Sequence, residues 1–86
     1  MSLTLASLQP GERGVICGFA ELDQFTQRLM QLGFVEGTEL KILRRAPTGD
    51  PIEVEVIGYA LSLRLEEARA IYVEQLAKDP ADQMRR

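Results

Sequence analysis

Histidine is absent from the chain and cysteine occurs once. The first absence removes the commonest general base, the commonest metal ligand and every histidine-containing triad. The second excludes an internal disulfide, which suits a reducing compartment. With no histidine to activate it, Cys17 is not read as a nucleophile. It is expected to fill the core as a small hydrophobe. Long apolar runs are missing as well. The longest runs from Gly14 to Ala20, far short of the ~20 residues that span a bilayer. The start, M-S-L-T-L-A-S-L-Q-P-G, has neither a basic region nor a hydrophobic stretch of signal-peptide type, so none is expected.

Positive charge is scarce too. Ten Lys and Arg stand against 13 Asp and Glu, a formal charge of −3. The last ten residues carry three cations and two anions, which leaves −4 for residues 1–76. Such a balance opposes general nucleic-acid binding, where affinity rests on phosphate neutralisation. No phosphate-binding G-x-x-x-x-G-K-[ST] loop exists, because Gly33 and Gly37 lack the Lys-Ser/Thr that would follow. No catalytic constellation and no cofactor motif is found, and the chain is not read as an enzyme.

What remains is a chain of 86 residues, 45% hydrophobic and 27% charged, as in one soluble domain with a single small core. Residues 1–76 are expected to form that domain and 77–86 a polar tail. Leu5 and Leu8 suit a helical turn that plugs the end of a barrel, and Pro10-Gly11 a type II turn. Arg13 to Phe19 reads as a strand buried on both sides. Leu22, Phe25, Leu29 and Leu32 recur at helical spacing and predict one helix over Leu22 to Leu32. Glu21 or Asp23 serves its start. Gly33 stops it in the left-handed conformation, with Phe34 packing back on the last turn.

Gly37 then permits a tight turn into a strand over Thr38 to Arg45. Ala46 to Pro51 is a loop in which Pro47 sets φ, Gly49 permits φ > 0 and Asp50 bonds nearby backbone. Ile52 to Ile57 and Ala60 to Leu65 form a hairpin about Gly58-Tyr59, read as a type II′ turn. That register pairs Val56 with Leu61, Val54 with Leu63, Ile52 with Leu65 and Glu53 with Arg64. Glu66 to Ala68 is a single helical turn and Ala70 to Gln75 the last strand. Five short strands with Gly/Pro turns predict a mainly β fold. The architecture is a small SH3-like barrel with one α-helix inserted between the first and second strands.

Three features are candidates for function. Lys41, Arg44 and Arg45 form a basic end of one strand, readable as a contact for an anionic surface or as a solvated face. Glu53 and Glu55 share a strand face and could hold a hard cation, but ordinary surface carboxylates are the better reading. The apolar stripe of the helix covers the barrel or meets a partner, and with the strand edges it allows a homo-oligomer.

The ordered set R-L-M-Q-L-G-F-V-E-G-T-E-L, R-A-P-T-G-D-P and G-Y-A-L-S-L-R, with Pro10-Gly11-Glu12, Glu67-Ala68 and Ile71 to Val73, resembles the FeoA family over residues 3–75. Glu36 and Phe34 depart from the commoner proline and smaller aliphatic. The resemblance implies an SH3-like barrel and a cytoplasmic accessory role in uptake of a transition metal ion, ferrous iron. The partner it implies is the GTP-binding membrane transporter FeoB, reached by protein–protein contact without membrane insertion. Arg44, Arg45, Pro47, Gly49, Asp50 and Arg64 are the expected contact residues, while Gly33, Gly37 and Gly58 are expected to be structural. No resident metal or cofactor is expected, although direct sensing through Glu53, Glu55 or Cys17 stays open. The alternative is a regulatory or nucleic-acid-linked module like the C-terminal domain of metal-dependent repressors.

Overall fold

A computed structural model describes residues 3–76. The elements in order are β1 (Leu3–Thr4), a 3₁₀ turn (Leu5–Ser7), β2 (Arg13–Phe19), α1 (Gln24–Gln31), β3 (Glu39–Arg45), β4 (Ile52–Val56), β5 (Tyr59–Leu63), α2 (Leu65–Ala68) and β6 (Ile71–Gln75). All six strands belong to one antiparallel sheet in the order β1-β6-β2-β3-β4-β5. The strand beyond the five expected is β1, only two residues long and paired with β6. The expected tail, 77–86, lies outside the described residues.

The sheet wraps one core. Ile16, Leu40, Ile42, Ile52, Val54, Val56, Leu63, Ile71 and Val73 supply its strand faces, and Leu5 and Leu8 plug it from the 3₁₀ turn. Leu29 and Phe34 close another side from the end of α1. Gly11, at φ +90°, turns the chain after the plug into β2.

Two bulges reset the alternation of strand faces. In β2 the register against β6 shifts between Ile16 and Gly18, and in β3 that against β4 shifts between Ile42 and Arg44. A bulge places two residues opposite one and re-aims side chains. Cys17 stands at the first of them and is exposed rather than core, which corrects its reading. The Ile16 carbonyl accepts from Gly37 N–H at 2.8 Å and its N–H donates to Thr38 at 2.9 Å, so the turn before β3 pairs with β2 at the bulge.

α1 is shorter than the periodicity predicts. Asp23 is the N-cap, accepting from Thr26 N–H at 3.0 Å while Thr26 Oγ1 accepts from Asp23 N–H at 2.9 Å. This reciprocal box starts the helix at Gln24 and buries Thr26. Leu22 therefore precedes the helix and is 74% exposed, and Leu32 is the C-cap, also exposed. Of the predicted stripe only Leu29 is fully buried, with Phe25 packed at the core's edge. The end matches expectation: Gly33 N–H donates to Met30 and Phe34 N–H to Leu29, with Gly33 at φ +103°.

The hairpin keeps its predicted faces but shifts its register by two residues. Val56 pairs with Tyr59, Val54 with Leu61, Ile52 with Leu63 and Glu53 with Ser62. The turn is centred on Ile57 and Gly58, with φ of +49° and +82°. Positive φ at both positions is the type I′ requirement, in place of the expected type II′. Leu65 cannot extend the strand because it opens α2, where Arg64 N–H donates to Glu67 at 2.8 Å.

Candidate functional site

The loop between β3 and β4 gathers most of the predicted contact residues. Gly49, at φ +90°, donates its N–H to Ala46 at 2.7 Å, and Ala46 N–H donates to Pro51 at 3.1 Å. These bonds define a compact loop with Pro47 and Thr48 exposed at its tip. Asp50 is the link to the rest of the molecule. Its Oδ1 accepts from Leu65 N–H at 3.0 Å and lies 3.7 Å from Arg64 Nε. The loop, Arg64 and the start of α2 thus form one surface, joined by a contact across fifteen positions of sequence.

The two neighbouring arginines part company. Arg44 stays in solvent and pairs with Glu53 at 2.6 Å, its cross-strand partner at the β3 bulge. Glu53 therefore answers Arg44, not Arg64 as the predicted register had it. Arg45 turns inward. Its Nη2 donates to the carbonyls of Ala6 and, at 2.8 Å, of Leu8. It clamps the 3₁₀ plug to the end of β3, so Arg44 and Arg64 are the cations this surface presents to solvent.

A second cleft, of about 680 Å³, lies beside β3 and the hairpin turn, between Arg13, Glu39, Lys41, Glu55 and Ile57. It holds the Arg13–Glu39 ion pair at 2.6 Å, and Lys41 stands opposite Glu55 in the ladder. Opposite charges alternate here, leaving no uniform field for an ion. Among the described residues no group of three His, Cys, Asp or Glu is placed to hold a metal. No described helix is long and apolar enough to cross a membrane.

Gly33, Gly37 and Gly58 all have positive φ. At Gly33 there is a second constraint: an added Cβ would lie 2.8 Å from Ile57 Cδ1, so the hairpin turn rests against the end of α1.

A third feature escaped the sequence reading. Phe19, Leu22, Met30 and Val35 line a groove of about 510 Å³ between α1 and β2, with Gly18 and Glu36. The available signal was the Asp23–Thr26 spacing of a capping box, which places Leu22 outside the helix and hence off its buried face.

The comparisons with known proteins agree with one another. A family model described as the FeoA domain matches residues 3–75. A curated protein of Porphyromonas gingivalis, a fusion of Fe(2+) transport protein A with the Fe(2+) transporter FeoB, is 31% identical over 77 residues. That alignment takes in 90% of this chain and 9% of the relative, so the chain spans about a tenth of that protein's length. The solution structure of FeoA from Chlorobium tepidum is 44% identical, with a TM-score of 0.82 over 90% of this chain and 73% of that one. A zinc complex of FeoA from Stenotrophomonas maltophilia, described as a prokaryotic SH3 domain protein, is 32% identical. Its TM-score is 0.76, over 84% of this chain and 89% of that one. The six-stranded sheet with its single longer helix is thus an SH3-like fold.

Proposed function

The chain belongs to the FeoA family, and from that premise we propose that it is a non-enzymatic accessory protein of bacterial ferrous iron uptake. It works in the cytoplasm, where it docks on the cytosolic part of an FeoB-type GTP-binding transporter and modulates it. Iron is the transporter's cargo in this reading, not a resident group of this domain.

One observation carries the proposal. In the Porphyromonas gingivalis relative the corresponding segment and the transporter occupy one polypeptide. Tethering sets a high effective concentration, so even a weak contact between the two is populated there. That contact rests on the surface this domain presents. The donor chemistry supports contact over iron transfer, since histidine is absent and the carboxylates near the loop are engaged by Arg44, Arg64 and backbone N–H.

The surface we assign to the contact is the β3–β4 loop with its neighbours: Arg44, Pro47, Gly49, Asp50 and Arg64, braced from within by Arg45. Loops set on a rigid barrel are favoured for binding, because their shape is held while their side chains stay accessible. The test is a pull-down of the transporter's membrane form and its isolated G domain, side by side, nucleotide-free and GTP-loaded. Association that falls at least tenfold in the Arg44→Glu, Arg64→Glu double variant is expected. Association undiminished by both charge reversals would move the contact elsewhere. Iron uptake unaffected by deleting the gene would remove the modulating role.

A further inference from the structure

We infer that the groove between α1 and β2 is a second docking site, and that it takes an amphipathic segment of the transporter's cytosolic part carrying apolar and basic side chains together. The inference rests on the docking reading above, but it concerns a different face and a different chemistry.

The groove is apolar in its lining. Phe19, Leu22, Met30 and Val35 face it, and its volume of about 510 Å³ lies in the range of clefts that enclose a ligand. Two of these side chains stand largely in water, Leu22 at 74% and Val35 at 44% exposure. Leu22 has a local reason to be unpartnered. It precedes the N-cap Asp23, where a hydrophobic residue ordinarily packs on the fourth helical position. That position is Gln27, which is polar and exposed. Gly18 lines the groove without a side chain.

Charge selects the occupant. Glu36 lines the groove, and Glu21 and Asp23 flank Leu22, all three exposed. At the helix start Asp23 Oδ1 accepts from Thr26 N–H at 3.0 Å. The cation of α1, Arg28, lies two positions from Met30, about 200° round the helix and so on the other side. An apolar groove with an acidic rim complements a segment that offers apolar and basic groups together.

The groove also differs in place from the cationic loop. β4 leaves the loop at Ile52, and just past its other end Ile57 rests against Gly33 at the carboxyl end of α1. Five residues of strand separate the two ends, roughly 17 Å. The basic and acidic surfaces therefore meet different parts of a partner.

Two measurements on the full chain test this. The first follows ¹⁵N amide shifts during titration with a synthetic amphipathic helix of leucine and lysine, and with its twin bearing glutamate for lysine. Shifts confined to Gly18, Phe19, Leu22, Met30, Val35 and their neighbours are expected, with at least tenfold weaker binding of the acidic twin. Leu22→Asp and Gly18→Val should each abolish them. Both variants leave the core intact: Leu22 is exposed, and a Cβ at Gly18 meets only Tyr72, at 3.9 Å. The second measures binding of the same variants to the detergent-solubilised transporter, where a loss of tenfold or more is expected.

Shifts elsewhere, equal binding of both peptides, or full transporter binding by both variants overturns the inference. So does a dimer that Leu22→Asp converts to monomer, which gives the groove to a second copy. Peptide seated in the groove with no transporter binding by the unaltered chain overturns both the occupant and the proposed function, and leaves the groove as a site for another basic segment. Transporter binding that depends on Arg44 and Arg64 but not on Leu22 or Gly18 overturns this inference alone.

Discussion

The guanidinium of Arg45 satisfies two carbonyls of the barrel plug, whereas that of Arg44 meets Glu53 at the surface. The chemistry is the same and the surroundings decide its worth. An exposed pair contributes ~0–1 kcal/mol, while partly buried carbonyls stripped of their donor cost about 1–3 kcal/mol. Arg45→Ala should therefore lower the unfolding free energy by about 1–3 kcal/mol in a urea titration, and Arg44→Ala by less than about 1 kcal/mol. Equal losses would contradict the clamp. Cys17 gives a second residue-scale prediction. Because Cys17 stands exposed at the β2 bulge, a thiol reagent should modify it in the native protein at close to the rate of a free thiol. Cys17→Ser should also change stability by less than about 0.5 kcal/mol. A thiol that reacts only after unfolding would restore the core reading. Alternation along β2 already sets Cys17 on the face opposite the buried Ile16; the small and apolar residues of that face give no sign that it is open to solvent.

Among the elements, the hairpin shows most plainly which parts of the fold were legible. The faces of β4 and β5 followed from alternation, and Val54 and Leu63 are both buried. The exact partners did not, because a shift of two residues preserves every face. What decides between the registers is the next element: Asp50 accepts from Leu65 N–H, Glu67 accepts from Arg64 N–H, and the strand must end at Leu63. The bond from Leu65 to Asp50 spans fifteen positions and leaves no local pattern. The consequence is a β-branched residue, Ile57, at φ +49°, a conformation that suits glycine or asparagine. Ile57→Asn should raise stability by about 0.5–1 kcal/mol, read as a higher urea midpoint at unchanged slope. Gly33→Ala should lower it by about 1–3 kcal/mol, since φ is +103° and the new Cβ would lie 2.8 Å from Ile57 Cδ1. A neutral Gly33→Ala would mean that the turn does not rest on α1. The start of α1 was half legible. Asp23 was one of two candidates, but the answering Thr26 that fixes the boundary went unread.

At the scale of the molecule, the barrel, its inserted helix and its family were readable from residues 3–75, because each motif agrees with the turn or strand on which it falls. The loop surface was readable in part. Its arginines and Asp50 stood out in sequence, but only the folded chain separates the outward Arg44 from the inward Arg45 and joins Asp50 to Arg64. Of the apolar groove between α1 and β2 only Leu22 was readable, through the Asp23–Thr26 spacing that sets it outside the helix; its walls come together only in the folded chain. Together these give a small barrel with a basic loop at one end of β4 and an acidic, apolar groove towards the end of α1. Docking on the transporter is the central claim, and the most direct measurement is equilibrium binding of the full chain to the detergent-solubilised FeoB-type transporter, nucleotide-free and GTP-loaded. Saturable association in at least one nucleotide state, weakened tenfold or more by Arg44→Glu with Arg64→Glu, is the predicted result. No association in either state would contradict it.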